Sequence, residues 1–252
     1  MTETFVPSSA FAVPGRIAVS NRAAALWQTA TLTEIRRETP QASTFRFAAP
    51  GWAGHLPGQH LMLRLTADDG YTAQRHYSIA SPPDDAGHIE LTLDHVEDGE
   101  VSGWFHTVAK PGDEVEVRGP LSGFFAWPGD RPALLIGAGS GVVPLMSMIR
   151  HHRTRELSVP LRLLVSARGP EELIYAREYG AETTRVFTRR APEGVPVGRL
   201  AASHVARLLA DEQPRGGWEA YVCGTNAFAE HASRLLVAAG QPVDRIRIER
   251  FG

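Results

Sequence analysis

ALLIGAGSGVVP, residues 133–144, joins an apolar run to a glycine-rich turn, and a helical stretch over 142–152 follows. A strand, a glycine turn and a helix N-terminus in this order bring backbone N–H groups and the positive end of the helix dipole to one point, where a pyrophosphate can bind. The turn departs from the standard dinucleotide fingerprint, because Val142 takes the place of its last glycine and Ser166-Ala167-Arg168, without an acid, ends the next predicted strand. Taken alone, the stretch leaves two interpretations open: a phosphate-binding loop, or a glycine turn without a ligand.

The pattern on the C-terminal side of this stretch is typical of a parallel sheet. Continuous apolar runs at 161–166 and 220–224 alternate with helical stretches such as 229–240. Strands that are apolar throughout are buried on both faces, as they are in sheets covered by helices. We therefore predict an α/β domain with a parallel sheet over residues 129–252.

The N-terminal half of the chain instead contains short runs in which apolar and polar residues alternate. Ile89, Leu91 and Leu93 face one way and the polar residues between them face the other, which predicts a half-buried strand. Regular short strands separated by turns predict an antiparallel barrel or sandwich over residues 25–128, after an N-terminal arm over 1–24. The predicted strands lie at 30–35, 43–49, 59–66, 88–96 and 113–120.

Composition excludes several classes of protein. A formal net charge of -2 over 252 residues gives no electrostatic footprint for nucleic acid. The longest apolar run falls far short of the roughly 18 residues that cross a bilayer. Residues 1–27 lack the basic start and apolar block of a secretory signal, so we expect a cytoplasmic protein. Cys223 is the single cysteine, which excludes a disulfide framework and leaves too few thiolates for an iron–sulfur cluster. We expect no metal site.

A second stretch, RHYSIASPP at residues 75–83, begins a series of motifs that continues along the chain. In order and spacing, the series resembles the ferredoxin–NADP reductase superfamily of flavoenzymes over about residues 28–252. In that family the glycine loop reads G-x-G-x-G-x-x-P, which accounts for the missing last glycine. The motifs are Arg75-His76-Tyr77-Ser78, Gly99-Glu100-Val101-Ser102, Pro111-Gly112-Asp113 with Gly119-Pro120, Gly137 to Pro144, Tyr221-Val222-Cys223-Gly224, and Glu249-Arg250-Phe251.

The resemblance implies an FAD site in the N-terminal domain, which is then an FAD-binding β-barrel. Arg75 and Tyr77 share one face of an extended strand, so a guanidinium can meet a diphosphate while the phenol ring lies against the flavin. Ser78 would place a hydroxyl near flavin N5. The other implied FAD positions are His76 in the same motif, Leu93 and His95 on the adenine and ribose side, and Gly99, Val101 and Ser102 at the pyrophosphate. His95 is equally compatible with a core or surface histidine.

The resemblance also implies that the C-terminal domain binds a nicotinamide nucleotide. Thr188 and Arg189 fall where NADP-using relatives carry a Ser-Arg pair, and guanidinium groups bind phosphate in bidentate fashion. Tyr175 and Arg177 precede them, and interspersed glutamates also permit a solvated rim of arginines. We expect NADP(H) rather than NAD(H). The implied nucleotide-binding residues are Gly137, Gly139, Ser140, Gly141, Pro144, Ser166, Arg168, Thr188, Arg189, Cys223 and Gly224.

The implied reaction is hydride transfer between nicotinamide and flavin, with Ser78, Cys223 and Glu249 as the catalytic residues. Cys223 would pack beside the nicotinamide, Glu249 would relay a proton near Ser78, and Phe251 would cover the flavin until the nicotinamide displaces it. We expect a reductase without a fused iron–sulfur domain that passes electrons to a separate ferredoxin, flavodoxin or oxygenase component. Two alternatives stay open: a reductase that releases free reduced flavin, and a non-catalytic flavin-binding subunit of a redox complex.

Overall fold

The computed structural model describes residues 26–210 and 214–251, and its N-terminal half is an antiparallel barrel. Six strands pair in the order β4-β3-β6-β1-β2-β5. A bridge between Ile79 and Leu91 joins the two edge strands, so the sheet closes around an apolar core. The alternating pattern is thereby confirmed as antiparallel strands. The elements are β1 (Gln28–Arg37), β2 (Ala42–Ala48), β3 (His60–Thr66), β4 (Thr72–Ser78), β5 (His88–Asp94), α1 (Glu100–Thr107) and β6 (Glu114–Leu121).

The C-terminal half is a parallel sheet of five strands in the order β11-β10-β7-β8-β9. Helix α2 packs on one face of the sheet, and helices α3 and α4 cover the other. The continuous apolar runs are thus confirmed as doubly buried strands. The elements are β7 (Ala133–Ala138), α2 (Val142–Thr154), β8 (Leu161–Ala167), β9 (Thr183–Phe187), α3 (Ala202–Leu209), β10 (Glu219–Thr225), α4 (Asn226–Ala238) and β11 (Ile246–Phe251).

The domain boundaries stay a proposal. The two sheets lie on either side of residues 122–132, which agrees with the proposed boundary between 25–128 and 129–252. The predicted N-terminal arm, 1–24, lies outside the described residues. Among the helices of the described part of the chain, none has the length and apolar character needed to cross a bilayer.

The prediction that β5 is half-buried is wrong, because the C-terminal domain covers its polar face. Glu90 is 7% exposed and Thr92 is 5% exposed. The Thr92 hydroxyl contacts the Tyr175 hydroxyl, and Arg150 of helix α2 donates to Glu90 Oε2 at 2.8 Å. The polar residues of β5 therefore form an interdomain contact rather than a solvated face.

Helix α2 is also attached to the segment that directly follows β4. Arg150 Nη1 donates to the carbonyl of Ala80 at 3.0 Å, and the Ser147 hydroxyl donates to the carbonyl of Ser81 at 2.7 Å. Two carboxylates complete the contact, because Arg150 lies 2.8 Å from Glu90 and 2.6 Å from Glu178. The helix that begins at the glycine turn is therefore fixed to the strand that carries the RHYS motif.

His55, which is buried beside this contact, makes stability depend on pH. Its Nδ1 accepts from Trp52 Nε1–H at 3.2 Å, and its Nε2 therefore donates to the Ser81 carbonyl at 3.0 Å. Burial lowers the pKa of His55 to about 4, from an ordinary value near 6.5. Below about pH 6.5, His55 is protonated in the unfolded chain but stays neutral in the folded protein. The free energy of unfolding therefore falls as the pH drops toward 4. We expect His55 to account for a loss of about 2 to 3 kcal/mol between about pH 7.5 and about pH 4.5.

Urea unfolding of the parent and of His55→Gln at both pH values measures this contribution. Glutamine cannot titrate, so the variant should lose less stability on acidification than the parent does, whatever its stability at neutral pH. Equal losses in the two proteins would show that His55 is not the group responsible.

Candidate functional site

Strand β4 places the RHYS motif at the edge of the barrel. Its pairing with β3 sets Tyr77 opposite Leu61 and Arg75 opposite Leu63, so these two side chains share a face, as predicted. Tyr77 packs partly against the barrel core, and burial raises the pKa of its phenol to about 12. Arg75 is exposed, and its guanidinium lies 3.6 Å from Glu100, beyond hydrogen-bonding distance. The aromatic ring of Tyr77 and the accessible guanidinium of Arg75 thus lie next to each other on one face of β4.

Helix α1 begins one residue after Gly99 and directs its first turn toward the same edge. Glu100, in that turn, is the residue that approaches Arg75. Val101 is buried in the barrel core and the Ser102 hydroxyl accepts from the backbone N–H of Val96 at 3.3 Å. These two residues therefore offer the site their backbone N–H groups, at the positive end of a helix.

The predicted adenine-side residues differ in their environments. Leu93 is 1% exposed and packs in the barrel core, so its side chain faces away from the solvent. Strand β5 ends at Asp94, and the next residue, His95, lines an open cleft between the two domains. Of the pair, His95 is the one whose side chain can meet a ligand.

The glycine turn brings the ends of β7 and β10 very close together. Gly139 has a φ of +54°, which favours glycine. A Cβ on Gly141 would lie 2.3 Å from the carbonyl oxygen of Cys223, so a side chain has no room at this position. Gly137 packs against helix α2, and Pro144 lies buried in the first turn of that helix. The turn and the C-terminal end of β10 therefore form one continuous backbone surface.

This surface forms part of a cleft of about 840 Å³ between the two domains. Its position outside the carboxyl ends of a parallel sheet is where open α/β sheets bind ligands. The predicted residues that line it are His95, Gly139, Ser140, Gly141, Ser166, Arg168, Thr188, Gly224 and Phe251. Thr39, Gln41, Arg199 and Phe228 also line it and were missed, because no sequence motif connects loops from different sheets to one cleft.

A separate group of buried polar atoms lies where β3 begins and where β4 and β11 end. Among the described residues, His60 Nδ1, Ser78 Oγ and Glu249 Oε2 have no hydrogen-bond partner. His60 stands directly opposite Ser78 in the sheet, and its Nδ1 lies 3.5 Å from Glu249 Oε1. A buried polar group without a partner costs about 1 to 3 kcal/mol, so this group indicates a surface that a ligand completes.

Cys223 lies beside this group of buried polar atoms. It pairs with Glu249 in the parallel register of β10 and β11 and is completely buried. Burial, together with the nearby Glu249 carboxylate, raises the pKa of the Cys223 thiol well above its ordinary value. The thiol therefore stays protonated. No sequence motif indicates His60, since its position opposite Ser78 depends on strand register.

The residues predicted to bind the 2′-phosphate divide into two sets. Arg168 and Thr188 line the cleft, and Arg168 is held loosely, 3.8 Å from Glu172. Arg189 does not line it; it is exposed, with no side-chain hydrogen bond or ion pair to the described residues. The next residue, Arg190, also lies outside the cleft and pairs with Glu171. Tyr175, grouped with these residues in the sequence, is instead buried against the barrel.

An antiparallel barrel followed by a parallel α/β sheet is the two-domain fold of the ferredoxin–NADP reductase type. Residues 29–126 match the family model of the oxidoreductase FAD-binding domain. Beyond this match, the chain is similar to the reductase components and shares its fold with the solved structures described next.

Two relatives at 30% identity are reductase components of oxygenases. One is the glycine betaine monooxygenase reductase subunit of Chromohalobacter salexigens, similar over 87% of this chain and 62% of the relative. The other is the ferredoxin reductase component of 3-ketosteroid-9-alpha-monooxygenase from Mycolicibacterium smegmatis, similar over 87% of this chain and 64% of the relative. The chain thus spans less than two thirds of the length of these relatives.

Solved structures share the fold. The FAD/NAD-binding domain of nitric oxide dioxygenase from Vibrio cholerae superposes with a TM-score of 0.76 at 22% identity, covering 89% of this chain and 98% of the other. A ferredoxin NADP+ reductase from Neisseria gonorrhoeae, solved with FAD and NADP bound, superposes with a TM-score of 0.75 at 21% identity over the same shares. The two-domain prediction is confirmed at the level of the fold.

Proposed function

We propose that this chain is a flavoprotein oxidoreductase that uses NADPH to reduce bound FAD and passes the electrons to a separate carrier, such as a ferredoxin, a flavodoxin or an oxygenase component. The observation that carries the proposal is the set of unpaired buried atoms on His60, Ser78 and Glu249. They lie buried where β3 and β4 of the first domain meet β11 of the second, and a polar heterocycle is the kind of ligand that would satisfy them. Bound together, flavin and nicotinamide supply the hydride chemistry, and the protein supplies orientation and the exclusion of water.

The residues present fit FAD. Arg75 and the first-turn N–H groups of Val101 and Ser102 would hold the diphosphate, because a cation and a helix N-terminus both favour anions. Tyr77 would support the flat ring, and His95 would meet the adenine and ribose side. Gly99 is the N-cap residue of α1. The buried side chain of Leu93 packs in the barrel core and stabilises β5. His76 is exposed on the face of β4 that also carries Ser78, at the margin of this site.

The residues of the second domain fit a nicotinamide nucleotide. The turn at Gly139, Ser140 and Gly141, at the head of α2, would bind the pyrophosphate through its backbone. Ser166, Arg168 and Thr188 line the cleft beyond the turn, on the side toward β9, and Arg189 lies just past Thr188. These residues would hold the adenosine part with its 2′-phosphate. The support for NADPH is the accessible guanidinium charge of Arg168 and Arg189 and the absence of an acid at the end of β8.

Cys223, Gly224, Glu249 and Phe251 would surround the nicotinamide. The protonated thiol of Cys223 acts as a small buried wall and not as a nucleophile. Glu249, whose Oε2 has no partner among the described residues, can accept a proton or a hydrogen bond there. Phe251 ends β11 and lines the cleft, so its ring can cover or open this part of the site.

The electron acceptor is proposed from the relatives. Proteins similar to this chain are named as reductase components of monooxygenases. The chain has one cysteine, which cannot provide the four thiolate ligands of a [2Fe–2S] cluster. Any iron–sulfur carrier therefore lies outside these 252 residues.

The proposal is tested by Ser78→Ala. The lost hydroxyl hydrogen bond would matter more to the transition state than to flavin binding, so we expect flavin reduction by NADPH to slow by about tenfold while flavin content stays near that of the parent. Stopped-flow absorbance under anaerobic conditions measures the rate, and the absorbance ratio of flavin to protein measures the content. Ser233→Ala is the matched control, because the Ser233 hydroxyl donates only to Ala229 of its own helix. Parallel loss of flavin and rate in Ser78→Ala would contradict the role given to Ser78.

A further inference from the structure

Tyr175 has a backbone conformation that few residues of its size adopt. Its φ is +60°, in the left-handed region, although it is not a glycine. Its side chain is 1% exposed. A strained conformation of this kind persists only where the surroundings over-determine it, and such residues cluster at functional sites.

The hydrogen-bond partners of the Tyr175 hydroxyl and backbone N–H belong to the other domain. Its hydroxyl contacts Thr92 Oγ1, which is 2.7 Å from Thr44 Oγ1, so a chain of three hydroxyls runs into the face of the barrel. Its backbone N–H donates to Glu38 Oε2 at 3.3 Å, and the guanidinium of Arg150 lies 5.0 Å from the ring centroid. Burial raises the pKa of the Tyr175 phenol well above its ordinary value, so the hydroxyl keeps its proton and remains a donor.

These contacts join the two walls of the cleft at one end. Arg168, Glu172 and Ile174 line the wall on the α/β domain, and Tyr175 is the next residue. Thr39 and Gln41 line the wall on the barrel, directly after Glu38. The hydrogen bond from Tyr175 to Glu38 and the contact of Tyr175 with Thr92 therefore connect the two walls next to the residues that line the cleft.

We propose that Tyr175 is a positioning residue that fixes the width of the nucleotide cleft, an inference that rests on the function proposed above. While Tyr175 contacts Thr92, the wall that carries Arg168 is held at a fixed distance from the barrel. When this contact is lost, the wall also occupies positions farther from the barrel. A nucleotide that contacts both walls then binds only the fraction of molecules in which the cleft is narrow. The apparent dissociation constant rises as that fraction falls.

Tyr175→Phe tests the inference and Tyr179→Phe is its matched control. Both substitutions remove one tyrosine hydroxyl from the same segment, but the Tyr179 hydroxyl donates to Ile174 of that segment, at 2.6 Å, and does not cross to the barrel. We expect the dissociation constant of NADP+ from the flavin-loaded full chain to rise by about two- to tenfold in Tyr175→Phe, the effect of losing one hydrogen bond. In Tyr179→Phe it should stay at the parent value. Isothermal titration calorimetry measures the constant, and thermal unfolding of both variants accounts for stability.

Thr92→Val removes the same contact from the side of the barrel and keeps the inference testable if Tyr175→Phe folds poorly. It should weaken NADP+ binding at least as much, because it also removes the contact of Thr92 with Thr44. The double variant should bind no more weakly than Thr92→Val, since both substitutions remove the contact between Tyr175 and Thr92. Flavin content should be unchanged in all of them. Equal dissociation constants in the parent, Tyr175→Phe and Thr92→Val would overturn the inference while leaving the proposed function intact. A parent protein that binds neither NADP+ nor NAD+ would overturn both.

Discussion

Replacing Arg150 with methionine is expected to lower the free energy of unfolding by about 3 to 5 kcal/mol, because it removes one partner from a buried interdomain ion pair. The Arg150 side chain is 13% exposed and that of Glu90 is 9% exposed. Without Arg150, Glu90 keeps only the more exposed guanidinium groups of Arg46, at 3.2 Å, and Arg36, at 3.8 Å. The carbonyl of Ala80 loses its contact with the guanidinium as well.

Urea unfolding measures this effect, and Arg234→Met provides the comparison. Arg234 pairs with Glu230 at 3.4 Å on the surface of α4, where the two side chains are 71% and 62% exposed. Such surface pairs contribute at most about 1 kcal/mol, so this variant should unfold nearly like the parent. Similar unfolding free energies for the two variants would mean that the Arg150 cluster does not hold the domains together.

Replacing both Arg168 and Arg189 with alanine is expected to raise the Michaelis constant for NADPH by roughly 10- to 150-fold, with little change for NADH. A charge-assisted hydrogen bond to the 2′-phosphate contributes on the order of 1.5 to 3 kcal/mol, and tenfold in affinity corresponds to about 1.4 kcal/mol. The double substitution is needed because the Arg189 backbone N–H donates to the Arg168 carbonyl at 3.0 Å, so the two side chains start from neighbouring positions and one guanidinium would replace the other. Arg190 is the weaker candidate, since it already pairs with Glu171.

The measurement is the rate of flavin reduction as a function of NADPH and of NADH concentration. Arg207→Ala, an exposed arginine of α3 that lies outside the cleft, controls for the loss of positive charge in general. An unchanged NADPH/NADH ratio in the double variant would show that the phosphate does not bind at this pair, and the preference for NADPH would lose its basis.

The sequence predicts the fold well because its patterns are local. The alternation in 88–96 and the solid apolar run at 133–137 are both confirmed as strands, antiparallel in the first case and parallel in the second. The glycine turn is equally readable, because the lack of space at Gly141 is a property of the turn itself. The wrong prediction at β5 marks the limit: Glu90 and Thr92 look like solvent-facing residues, and only the docking of the second domain buries them.

The candidate site is predictable only where a motif carries it. Arg75, Tyr77 and Ser78 are found from the sequence, whereas His60 is not, because its place opposite Ser78 depends on the register between β3 and β4. The sequence groups Tyr175 with the arginines, which is wrong for a related reason. Its position in the chain is next to the arginines, but its left-handed backbone turns the side chain into the barrel.

The most direct test of the account is to identify the flavin of the purified protein and to mix the protein anaerobically with NADPH. The account predicts a yellow protein that releases FAD on treatment with acid, and whose flavin absorbance is bleached by NADPH at lower concentrations than by NADH. Release of FMN alone, or FAD that neither nicotinamide nucleotide reduces, would contradict it.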